Sequence, residues 1–172
     1  MKRLRPFLRG ADGSATVEFA ILFPIVISML IMGAEAGYTA LQRITLERAV
    51  DIAVRDVRLG KVEDGTTHDE FRERVCERAT LLPGCEDRLL LEMRTINAQT
   101  WNFPDELNAC IDLAANITPV TPFSLGAGES VMYVRACYLV SPMFPTTALG
   151  LKLPLDDAGM FALRATTGFV NE

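Results

Sequence analysis

The reading of this chain turns on Gly13-Ser14-Ala15-Thr16-Val17-Glu18-Phe19 and the apolar run behind it, Ala20-Ile21-Leu22-Phe23-Pro24-Ile25-Val26-Ile27-Ser28-Met29-Leu30-Ile31-Met32-Gly33-Ala34. Residues 19–34 carry no charge, and residues 14–34 are interrupted only by Glu18. At a helical rise of about 1.5 Å per residue this segment approaches the roughly 30 Å of a bilayer core. It predicts a membrane-spanning helix over residues 14–38, preceded by a leader, residues 1–13, and followed by a body, residues 39–172.

Charge orients that span. Lys2, Arg3, Arg5 and Arg9 against Asp12 give the leader a net charge of +3, whereas residues 39–172 hold 13 basic and 19 acidic side chains. The positive-inside rule puts the leader in the cytoplasm and the body outside it. The acidic body and the absence of any basic cluster beyond the leader exclude nucleic acid as a partner. A chain of 172 residues that is 49% hydrophobic fits one anchor and one small domain.

An ionisable group near a bilayer is costly, so Glu18 is either a hydrated interface residue or a functional one. The string Gly-x-x-x-Val-Glu-Phe-Ala after a basic leader, with Pro24 and then Gly33-Ala34-Glu35-Ala36-Gly37, resembles the processing site and helix of type IV pilin-like proteins. More closely, it is similar to the TadE/TadG-like minor pseudopilins of the Tad (Flp) pilus system. The resemblance covers about residues 10–55. It implies cleavage by a prepilin peptidase after Gly13, with Ser14 as the new N-terminus and Phe19 behind the processing glutamate. It also implies a pairing role for Glu18 in subunit assembly, with the implied partners being other pilin-like subunits and the pilus assembly platform.

Four further residues of the helix bear on assembly. Pro24 removes one helical hydrogen bond inside the span, a defect that neighbouring helices accommodate. Gly33 and Gly37 form a G-x-x-x-G that lets another helix approach, although the motif is short and common. Glu35 lies between them, read either as a hydrated helix end or, by the resemblance, as an assembly contact.

Two other readings of the N-terminus compete. A secretory signal peptide would use the small-x-small pattern Ala34-Glu35-Ala36 and release a periplasmic binding or adhesive domain starting at Gly37. A permanent single-pass component of a secretion platform would keep its leader. In the favoured reading the protein sits in a bacterial inner membrane with its body in the periplasm.

All four cysteines, Cys76, Cys85, Cys110 and Cys137, lie beyond the span, where a periplasm is oxidising. Four cysteines allow three pairings and the sequence does not choose among them. The favoured pairing joins Cys76 to Cys85 across a helix-turn loop and Cys110 to Cys137 between a long loop and a strand. Zinc is the rival, weakened by the lack of a C-x-x-C and by a single histidine, His68.

Beyond the span, Leu46, Ala49, Val50, Ala53 and Val57 recur at spacings of three and four. One helix is therefore expected from Ser14 to about Leu59, amphipathic in its second half. Thr67-x-x-Glu70 has the form of a capping box. Phe71, Val75, Ala79 and Leu82 then share a helical face up to Pro83-Gly84, with His68 as an exposed helix-start residue. Alternation predicts strands over residues 88–96, 131–140 and 160–170. The fold class is α+β, pilin-like, with a long N-terminal helix packed on a small antiparallel sheet. Prolines break the two long connections, in which residues 105–115 are read as a short helix. Trp101, Phe103, Phe123, Met143 and Phe144 are expected mainly to cover the sheet.

No catalytic constellation emerges: there is no G-x-S-x-G, H-E-x-x-H or P-loop. The expectation is a protein that is not an enzyme and takes no cofactor or metal, working through subunits and membrane lipid.

Overall fold

A computed structural model of the chain describes residues 14–104, 110–147 and 150–171. Gly13 and the leader lie outside these residues. One helix, α1 (Ser14–Arg58), runs for 45 residues, roughly 65 Å at the usual rise, and passes Pro24, Gly33 and Gly37 without a break. It ends close to the expected Leu59. The next residues turn through Gly60 and Gly65, both with positive φ, a conformation that glycine adopts without steric cost.

Then follow α2 (His68–Arg78), α3 (Cys85–Arg88), β1 (Leu89–Ile96), β2 (Val131–Val140), a 3-10 turn at Gly150–Lys152, and β3 (Phe161–Val170). The capping box at the start of α2 is complete: the Thr67 hydroxyl accepts from the Glu70 N–H, and Glu70 accepts from the Thr67 N–H. Phe71, Val75, Ala79 and Leu82 are all buried. However, α2 stops at Arg78, a turn earlier than the pattern suggested, and the Ala79 N–H closes on the Cys76 carbonyl.

The three strands form an antiparallel sheet in the order β1-β2-β3. Its inner face presents Leu89, Leu91 and Met93 from β1, and Met132, Val134, Ala136, Tyr138 and Val140 from β2. Phe161, Leu163 and Ala165 of β3 join them against Leu46, Ala49, Val50, Ala53 and Val57 of α1. Burying such side chains is worth about 1.5–3 kcal/mol each. The amphipathic half of α1 is thus held by the core, and the sheet fixes its direction. The Tyr138 hydroxyl donates to the Pro83 carbonyl at 2.8 Å, and burial pushes its pKa above the ordinary value, keeping it a donor.

The free edge of β1 is covered. Met93 exchanges main-chain hydrogen bonds with Pro122 and Ser124, and the Leu91 carbonyl accepts from the Thr121 hydroxyl and the His68 Nε2. Covering an edge removes a template for aggregation. His68 is therefore half-buried and tied to the sheet, with its ring edge-on to Phe123, rather than an exposed helix-start residue.

On the outer face, Leu90, Ile111 and Leu139 make a second small cluster with Cys110 and Met160 beside it. The segment that carries Ile111 is a turn closed by paired bonds between Asp112 and Ile117. Residues 110–115 are not helical, and the remainder of the expected helix lies outside the described residues. Among the loop aromatics, Phe123 packs on the core and Phe103 lies against Tyr133 of β2. Trp101, Met143 and Phe144 are exposed, and the main chain of Phe144 bonds Glu35 of α1.

Candidate functional site: the apolar helix and its clasp

From Ala15 to Leu30 every side chain of α1 is exposed, and this is the one helix among the described residues long and apolar enough to cross a membrane. Val17, Phe19, Ile21, Leu22, Phe23, Ile25 and Val26 are all large, apolar and uncovered. The domain begins only where this run ends.

Glu18 stands on the exposed part, and among the described residues it makes no hydrogen bond or ion pair. Phe19 stacks near Phe23 one turn on, with ring centroids 5.2 Å apart. A Cβ added to Gly33 or Gly37 would meet nothing within 4 Å. No part of the described chain uses the space these glycines leave.

Glu35 behaves differently. It is 2% exposed; its Oε1 accepts from the Phe144 N–H and its Oε2 from the Thr147 hydroxyl, each at 3.1 Å. Of the two readings of this residue, the hydrated helix end does not hold, and its carboxylate is occupied within its own chain. Thr147 is held in turn: its main-chain N–H donates to the Phe144 carbonyl, and its hydroxyl oxygen accepts from the Gly150 N–H. The result is a clasp of loop around the outer end of the apolar helix. The sequence offered Glu35 as a candidate, but nothing in it pointed to a main-chain donor more than a hundred residues away.

The cysteines are all paired. Cys76 bonds Cys85 and Cys110 bonds Cys137, the pairing favoured from the sequence. The first ties α2 to α3; the second staples the outer-face turn to β2. Neither bond touches the clasp.

Residues 13–55, about a quarter of the chain, match the family model described as TadE-like protein. That stretch holds Gly13, Glu18, the entire apolar run and Leu46, Ala49, Val50 and Ala53 of the amphipathic stripe. No curated protein and no solved structure matches the chain.

Proposed function

We propose, from the TadE-like match of residues 13–55 as premise, that the chain is a minor pseudopilin acting in assembly of a Tad-type pilus. Residues 1–13 form a cytoplasmic leader, residues 14–38 span the inner membrane once, and residues 39–172 stand on the periplasmic side. A prepilin peptidase cuts after Gly13. The freed amine of one subunit then offers the carboxylate of Glu18 on a neighbour the partner that a buried charge requires. Pro24, Gly33 and Gly37 shape the face that meets neighbouring pilin-like helices and the assembly platform. The work is assembly rather than catalysis.

The observation that carries this reading is the match itself, laid over a helix whose first half is apolar and clear of its own domain. Release by signal peptidase after Ala36 is disfavoured on a separate ground. Such a cut would remove Glu35 and with it both hydrogen bonds that close the clasp.

The test is the intact mass and N-terminal sequence of the protein recovered from membranes of its own host. A start at Ser14 supports processing and the pseudopilin role. An intact leader makes the chain a permanent single-pass component, and a soluble form starting at Gly37 makes it a secreted domain. If Glu18→Ala leaves pilus assembly unchanged in a processed protein, the pairing role assigned to Glu18 is wrong.

A further inference from the structure

We infer that residues 141–147 and 150–152, in the loop after β2, form a lipid-contacting foot, seated on the outer leaflet at the headgroup boundary. This rests on the reading of α1 as a membrane span. Four observations combine to give it.

The first is depth. Glu18 and Glu35 bracket the apolar run, and seventeen residues of helix separate them by about 26 Å, close to the roughly 30 Å of hydrocarbon. With Glu18 at the inner boundary, Glu35 reaches the outer one. The Phe144 N–H and the Thr147 hydroxyl bond that carboxylate, so the loop is held at the same depth. Burial and double hydrogen bonding of Glu35 are what a carboxylate at that depth needs, because an unpaired one is expensive there.

The second is cover. Ile31 and Met32 are the first residues of the apolar run to lose part of their exposure. Protein therefore extends one helical turn below Glu35, towards the bilayer.

The third is chemistry. Met143, Phe144 and Leu151 are 56%, 37% and 74% exposed. Among described residues 141–147 and 150–155 the single charge is Lys152, whose long stem suits snorkelling to a lipid phosphate. Three large exposed apolar side chains with one cation and no carboxylate among them match the headgroup boundary of a bilayer.

The fourth is rigidity. A Cβ on Gly150 would lie 2.7 Å from the Phe144 carbonyl oxygen and 2.8 Å from that of Pro145. The loop is packed tightly enough to hold its apolar side chains outward.

The experiment places single tryptophans in the full chain on a Trp101→Phe background. The chain is reconstituted in phosphatidylethanolamine and phosphatidylglycerol vesicles doped with lipid brominated either near the headgroup or deep in the acyl chain. Leu151→Trp should lose emission to the shallow bromines. Val26→Trp should lose it to the deep ones. Val170→Trp, paired with Val131 at the opposite end of β2 from the loop, should keep its emission. Quenching at position 26 without quenching at 151 overturns the foot and leaves the span standing. Equal quenching at 151 and 170 also overturns it, since the domain then adheres without orientation. No quenching at 26 removes the span reading and the foot with it.

Discussion

The Phe144 main-chain N–H donates to the Glu35 carboxylate at 3.1 Å across 109 positions of sequence. This bond, with its companion from Thr147, joins the loop after β2 to the helix at the point where the apolar run ends. It ties the domain to the end of the apolar helix. A hydrogen bond to a charged group contributes about 1.5–3 kcal/mol. Glu35→Leu removes both acceptors without adding a polar group, so hydrogen exchange at the Phe144 amide should accelerate by roughly ten- to a hundredfold. Unchanged protection at that amide would show that the clasp is held by something else.

Gly150 tests the same loop from its other side. Its φ is not positive, so the constraint is space rather than backbone conformation, set by the carbonyls of Phe144 and Pro145. Gly150→Ala must push those carbonyls away, at a cost of about 1–3 kcal/mol typical of overpacking. Limited proteolysis should then cut within residues 141–155 faster than in the parent, while the sheet resists as before. Equal cleavage rates would mean the loop absorbs a methyl group freely.

Local pattern made much of this fold legible. The three-four stripe of α1, the capping box at Thr67 and Glu70, and the alternation in β1, β2 and β3 depend on neighbours within a turn or a strand, and they appear as expected. What stayed hidden depends on tertiary placement. Glu35 carries no sign of a partner beyond position 140, and Glu92 alternates like a solvent-facing residue although it is buried. Phe144 resembles any loop hydrophobic until the clasp brings its main chain to Glu35 at the end of the apolar run. Over residues 110–115 the expected helix gives way to a turn, because Asp112 and Ile117 close on one another.

The two disulfides should differ in weight. Closing a loop removes unfolded-state entropy that grows with its length. For separations of 9 and 27 residues the chain-entropy relation gives about 2.6 and about 3.5 kcal/mol. Replacing Cys110 and Cys137 together by Ala should therefore lower the thermal midpoint more than replacing Cys76 and Cys85 together. The reverse order would show that the local tie between α2 and α3 matters more than entropy allows.

Glu70 supplies a pH dependence. Its carboxylate accepts from the Thr67 N–H at 2.7 Å and the Thr67 hydroxyl at 3.0 Å, which hold its pKa below the ordinary 4.5. A depressed folded value means that its contribution is complete above the unfolded pKa and is lost as pH falls through the folded one. Glu70→Gln should flatten the acid side of the stability profile below about pH 4.5 and leave its slope at neutral pH unchanged. An identical acid limb in the variant would exclude Glu70 as a contributor.

Glu92 and Arg135 face each other in register across β1 and β2, at 3% and 7% exposure. Arg135 donates from Nε to Glu92 Oε2 at 2.8 Å and again from Nη2. Arg94 approaches the other carboxylate oxygen from the same strand. Desolvating two charges offsets much of their attraction, so the pair is worth little net against apolar groups of similar size. Losing Arg135 is a different matter, because the buried Glu92 carboxylate then keeps only Arg94, whose side chain is partly exposed. Arg135→Met alone should cost about 3–5 kcal/mol, whereas Glu92→Met with Arg135→Met should recover most of that loss. Denaturant unfolding of the detergent-solubilised chain reads both. A double variant no more stable than the single one would mean that the ion pair itself, and not the avoidance of an orphaned charge, holds this part of the sheet.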